Sequence, residues 1–206
     1  MARLHRGDTL IELMLAFAIF SLAAVSCLTI LNQGVAMAQR SLEKSLVRQQ
    51  IDSQAEIIRY IQASGDSAWT TMVGDKSVAG STGRLVTAAG GPLPLSGPCP
   101  SVGQLSSGGA NGFFVVPKPS GAGFDIKPAD AANYTAASTY AQVTYGAATP
   151  KAYGMWVQVV KAENATPNPA LRTVLDAYDF YIHGCWDSVG LAVPMTVGTI
   201  VRVYDR

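Results

Sequence analysis

Residues 8–31 read DTLIELMLAFAIFSLAAVSCLTIL, and this stretch decides the fold. From Leu10 to Leu31 there are 22 residues with one charge, Glu12, and neither proline nor glycine. As a helix they would be ~33 Å long, enough to cross a hydrocarbon core of ~30 Å. The residues before them carry Arg3, His5 and Arg6 and no acid. By the positive-inside rule the N-terminus is expected in the cytoplasm and the bulk of the chain outside. A secretory signal peptide is the alternative, with Ala36-Met37-Ala38 as a cleavage site of the A-x-A kind. An h-region of ~7–15 residues is shorter than this run, however, and gains nothing from Glu12. A plain uncleaved anchor is a third possibility.

The helical pattern continues past the apolar run. Asn32 to Ala63 contain no proline and one glycine, Gly34, the expected weak point. Val47, Ile51, Ala55 and Ile58 form a stripe on one face, which Leu42 and Leu46 extend backwards. Arg40, Lys44, Arg48, Arg59, Glu43, Asp52 and Glu56 are expected on a solvated opposite face. Ser64-Gly65-Asp66 is the expected stop. One helix over residues 8–63 follows, apolar all round in its first half and amphipathic in its second. Such a helix starts in lipid and ends on a domain.

Residues 64–150 hold 14 of the 20 glycines and 8 of the 11 prolines, so loops and turns are expected there. Strand patterns appear at Phe113–Val116 and Tyr140–Tyr145, and more strongly at Met155–Val160, Ala177–His183 and Thr199–Tyr204. Trp156, Phe180, Tyr181 and Trp186 are expected to fill a core. The expected fold is α+β, with a long N-terminal helix, transmembrane in its first half, on a C-terminal antiparallel sheet. Its expected divisions are a leader (1–7), a membrane helix (8–31), an amphipathic extension (32–63) and a loop-rich domain (64–206).

The chain has 206 residues, 15 basic and 14 acidic, and a mean hydropathy of +0.21. Few charges at near balance argue against an electrostatic nucleic-acid binder, and high apolar content argues against disorder. From Ser64 onward there are 9 basic and 9 acidic residues, so no specific nucleic acid is expected as a partner. Of three cysteines, Cys27 lies in the apolar run, while Cys99 and Cys185 lie in the part placed outside, where a disulfide between them is expected.

The sequence offers no catalytic constellation. It has two histidines, His5 and His183, and no H-E-x-x-H, G-x-S-x-G, P-loop or G-x-G-x-x-G pattern. No enzyme activity, cofactor or metal is expected. Gly65-Asp66-Ser67 resembles a serine-protease nucleophile loop only superficially. Asp125 with Asp130, and Asp176 with Asp179, are acid pairs of the kind Ca²⁺ uses, but the alternation of an EF-hand loop is missing. Solvated loop carboxylates are the expected reading. Asn133-Tyr134-Thr135 and Asn164-Ala165-Thr166 match the glycosylation sequon.

Gly7, Thr9-Leu10-Ile11-Glu12-Leu13, a short basic leader and the apolar helix occur in one order. Thr9 and Glu12 alone would make an ordinary capping box. Together, residues 1 to about 35 resemble the N-terminal motif of type IV pilins and type II secretion pseudopilins. The resemblance implies cleavage after Gly7 by a prepilin peptidase and N-methylation of Asp8. It implies a filament assembly site at Glu12 with Thr9, Leu10 and Leu13. It also implies partners: other pilin subunits, a membrane platform protein, an assembly ATPase and the lipid bilayer. The first mature residue of the family is usually apolar. Asp8 departs from that, a hint of a minor subunit. The alternative is an anchored or secreted binding domain that never polymerises.

Overall fold

The computed structural model describes residues 8–146, 149–162 and 176–205, without the side chains of Asp8 and Thr9. The leader with Gly7 and the sequon at Asn164 lie outside the described residues. The chain divides into two compact units, 1–42 and 43–206.

Helix α1, Asp8–Ser64, passes through both units without interruption, so Gly34 does not break it. In the first unit its apolar side chains are exposed on every side, from Leu10 through Ile19, Leu22 and Val25 to Leu31. The hydroxyls of Ser21, Ser26 and Thr29 donate to the carbonyls of Ala18, Leu22 and Val25 at 2.9, 2.8 and 2.6 Å. These polar groups are thereby satisfied within the helix, as an apolar solvent requires.

In the second unit α1 buries one face: Val47, Ile51, Gln54, Ala55, Ile58 and Ile61. The stripe does not reach back to Leu42, which lies in the first unit and is 61% exposed. The helix ends in a Schellman motif. Gly65 takes φ +68°, its N–H donates to Gln62 O, and the N–H of Asp66 donates to Ile61 O. A side chain at residue 65 would disfavour that left-handed cap.

The fold is α+β: a long N-terminal helix whose end packs on a C-terminal antiparallel sheet. The strands are β1 (Phe113–Pro117), β2 (Phe124–Pro128), β3 (Tyr134–Thr135), β4 (Gln142–Thr144), β5 (Lys151–Tyr153), β6 (Met155–Ala162), β7 (Asp176–Trp186) and β8 (Met195–Asp205). The main sheet has the order β2-β1-β6-β7-β8, antiparallel throughout, and a small sheet has the order β3-β5-β4 with a parallel β3–β5 pair. On the helix side, Phe180, Ile182, Trp186, Val201 and Val203 are buried. Gly184 brings the sheet close to the helix, since a Cβ there would lie 2.8 Å from a Val47 methyl.

Tyr181 is only half-buried, because on the face of β7 away from the helix it lines an open groove with Leu95 and Ile200, and Tyr178 takes the core place expected of it. Two short helices break the expected loops, α2 (Ala68–Val73) and α3 (Val102–Ser106). Trp69 of α2 packs on Tyr178 and Phe180, both with ring centroids 5.8 Å away.

Candidate functional site

The candidate assembly site is the first unit's helix. Leu10, Glu12 and Leu13 all lie on α1 and are exposed. Helical spacing places Leu13, Ala16, Phe17 and Phe20 along one side, where they line a shallow apolar groove. Glu12 has no ion-pair partner among the described residues. One helix near the N-terminus is therefore long and apolar enough to cross a membrane, and none of its most apolar window is buried. So continuous an apolar surface is far larger than the patches soluble monomers expose. It suits lipid or the apolar surface of another protein.

The second unit is tied together by three kinds of polar lock. The first is the disulfide. Cys99 and Cys185 are joined, with Cα atoms 5.5 Å apart, and Cys27 is free and exposed. Together with the N–H of Leu93 on Gln158 Oε1 (2.9 Å) and the Thr196 hydroxyl on Leu95 O (2.9 Å), it straps residues 93–99 across β6, β7 and β8.

The second lock is a pair of buried glutamines. Gln54 Nε2 donates to Val115 O (2.8 Å) and the Tyr145 hydroxyl (2.9 Å), while Gln54 Oε1 accepts from Val115 N–H (3.0 Å). Val115 lies opposite Ile126 of β2, but β1 pairs β6 only at Phe113 with Val157, so on the β6 side the helix side chain stands in for the strand that Val115 lacks. Gln158 likewise accepts from Leu93 and donates to Ala110 O at 2.9 Å.

The third is Glu43. Its Oε2 accepts from Trp186 Nε1 (3.0 Å) and the Ser188 hydroxyl (2.7 Å). Glu43 is thus half-buried and engaged, not on the solvated face, because the helix turns it toward the end of β7.

No family model, curated protein or solved structure matches this chain.

The four candidate Ca²⁺ carboxylates do not gather. Asp125 pairs with Lys127 at 3.4 Å, and Asp130 accepts from the N–H groups of Ala132 and Asn133. Asp176 lies between Lys161 (2.9 Å) and Lys76 (3.3 Å). Burial would raise its pKa, but hydrogen bonds from both lysines outweigh that and hold it below the usual carboxylate value. Asp179 grips Arg202 at 2.7 and 2.6 Å. Among the described residues no three His, Cys, Asp or Glu side chains form a metal-binding group.

Asp66 and Ser67 have structural employment. Asp66 accepts from the N–H of Ala68 (2.9 Å), at the start of α2, and from that of Phe124 (3.2 Å), which begins β2. His183 is 3% exposed, edge-on to Trp156 with ring centroids 5.2 Å apart, and its Nδ1 has no partner among the described residues. Desolvation lowers its pKa from 6.5 to about 4, so the ring is neutral near pH 7. Asn133 of the first sequon donates to Asp130 at 2.9 Å, and the adjoining Tyr134 is buried.

Sequence reasoning missed Gln54, Gln158 and the Glu43 contacts. Only α3 carried a readable signal, the capping box Ser101-Val102-Gly103-Gln104.

Proposed function

We propose that the chain is a minor pilin or pseudopilin, a structural subunit stored in a membrane and assembled into a type IV pilus or type II secretion-like filament. One observation carries this reading. The ordered motif Gly7-Asp8-Thr9-Leu10-Ile11-Glu12 runs directly into an uninterrupted helix whose apolar side chains are uncovered on all sides. In this reading the N-terminus is cytoplasmic, a prepilin peptidase cuts after Gly7, and Asp8 becomes the first residue. The subunit needs a platform protein and an assembly ATPase as partners, and itself performs no catalysis.

The chemistry of Glu12 supports the proposal. Near the start of the helix it sits at headgroup depth in a bilayer, where its cost is small. In a filament core it is desolvated, and a buried carboxylate needs a cation. The new N-terminal amine of an adjoining subunit supplies one. The pair sets axial register, while Leu10, Leu13 and the apolar run provide association without meeting water. Asp8 adds a second carboxylate beside that amine, which suits a specialised subunit more than the bulk protein.

Sequencing the N-terminus of the protein purified from cells tests this. A start at Asp8 supports it; a start at Gln39 indicates a signal peptide, and an intact Met1 a plain anchor, and either of these sinks it. Glu12→Ala is expected to leave cleavage intact and to reduce incorporation into sheared filaments severalfold. Unchanged incorporation would reduce Glu12 to a cap on its own helix.

A further inference from the structure

The two edges of the main sheet are built differently. β2 is five residues long, carries Asp125 and Lys127, and ends at Pro128. Short length, charge and proline are the devices by which proteins keep an edge from pairing with another chain. β8 is neither short nor interrupted by proline. It runs for eleven residues, pairs β7 residue for residue without a bulge, and contains neither proline nor lysine. Both its charges are engaged within the chain, Arg202 by Asp179 and Asp205 by Lys76 at 3.0 Å. No backbone hydrogen bond from another described segment reaches its outer edge. Ile200 is 59% exposed and Tyr204 46%.

We infer that β8 is a docking edge for β8 of a second copy of this chain, antiparallel and centred on Ile200. Self-complementarity singles out that occupant. In this register Met195 faces Asp205, Thr196 faces Tyr204, Val197 faces Val203, Gly198 faces Arg202, Thr199 faces Val201, and Ile200 faces itself. All eleven residues pair over ~37 Å. No like charges stand opposite each other, and the one bulky cation meets a glycine. Val197 with Val203, and Thr196 with Tyr204, are β-branched and aromatic pairs of the kind that stabilise antiparallel ladders. Beside the edge, Pro92, Pro94, Leu95, Tyr181 and Ile200 line an uncharged groove of about 490 Å³. Pairing brings two such grooves together across the Ile200 contact.

The two-fold axis of such a pair is normal to the sheet. The helix segments packed on the two sheets then run in opposite directions. Neighbours in one filament run in parallel, so this contact is not the assembly contact. It joins copies carried on facing surfaces or on filaments of opposite sense, a consequence that rests on the filament reading, whereas the strand pairing does not.

Cysteine cross-linking of the full chain in detergent, in a Cys27→Ser background, tests the register. Under mild copper-phenanthroline oxidation, Ile200→Cys is expected to cross-link to itself at least tenfold faster than Val189→Cys, an exposed site off the strand. A mixture of Thr196→Cys and Tyr204→Cys is expected to cross-link at least tenfold faster than either variant alone. These positions lie at the surface or edge, so retained Trp fluorescence is the expected folding control. Ile200→Cys reacting no faster than Val189→Cys would overturn the inference, whether or not the helices associate. Thr196→Cys linking to itself as fast as the mixture would overturn the register. Neither result bears on where the N-terminus is cut.

Discussion

Replacing Gln54 with leucine removes the one side chain that completes β1. Val115 is fully buried, and Gln54 supplies both an acceptor for its N–H and a donor for its C=O. The substitution orphans both groups. At about 1–3 kcal/mol for each unpaired buried group, the loss is about 2–6 kcal/mol. The leucine recovers about 1.5 kcal/mol by apolar burial, leaving a net cost of about 0.5–4.5 kcal/mol. The Tyr145 hydroxyl adds little, because Tyr145 is partly exposed and can turn to water.

Gln50, on the same helix, is the internal control. It is half-buried, and its Oε1 accepts from Val143 N–H at 3.4 Å, a long and weak bond. Gln50→Leu is expected to cost less than about 1 kcal/mol. Urea unfolding of the full chain in detergent, followed by tryptophan fluorescence, reads both. Trp69, Trp156 and Trp186 all lie in the second unit, so the signal reports on the part that Gln54 holds. With unchanged urea slopes, a shift in midpoint is a stability change. A Gln54→Leu cost below about 0.5 kcal/mol, or no larger than that of Gln50→Leu, would refute the assignment of Gln54 as the stand-in for a strand beside Val115.

Two further outcomes follow from the same unit. Cys99→Ser opens a ring with a sequence separation of 86 residues, for which chain entropy sets an upper cost of about 4.6 kcal/mol. A thiol assay on the unfolded, unreduced wild type should count one free cysteine, and a count of three would remove the basis for that loss. His183 binds a proton more readily unfolded than folded, since burial lowers its folded pKa to about 4. Its contribution is therefore complete above about pH 6.5 and is lost as the pH falls toward about 4, at most about 3 kcal/mol in all. The stability difference between wild type and His183→Phe should change across that window, and a flat difference would show that His183 is already protonated or solvated.

The helix was legible because its signals are local. Twenty-two apolar residues, a stripe at Val47, Ile51, Ala55 and Ile58, and a glycine at the stop need nothing from the rest of the chain to be read. The same holds for the late strands, whose runs of β-branched and aromatic residues are local signals, although all three strands extend beyond those runs. β2, β3 and β5 escaped notice because they are short and gain their form from neighbours, not from their own residues. Pairing of Cys99 with Cys185 was readable by elimination, one cysteine being in the apolar run. Gln54 and Glu43 were not readable. A polar residue on a helix looks solvated until the strand that needs its amide, or the indole that needs its carboxylate, is known to lie opposite. For Gln54 that partner is 61 residues away, and for Glu43 it is 143.

The Cys99–Cys185 bond also decides what a single cut does to this protein. β1 through β6 and nearly all of β7 lie between the two cysteines, and the main sheet is built from both sides of that ring. A protease that nicks the backbone anywhere from Pro100 to Gly184 therefore releases nothing. The two pieces stay one covalent molecule, with β8 still attached to the helix-bearing half. Such damage would be invisible on a gel run without reductant and would appear as two bands once the bridge is reduced.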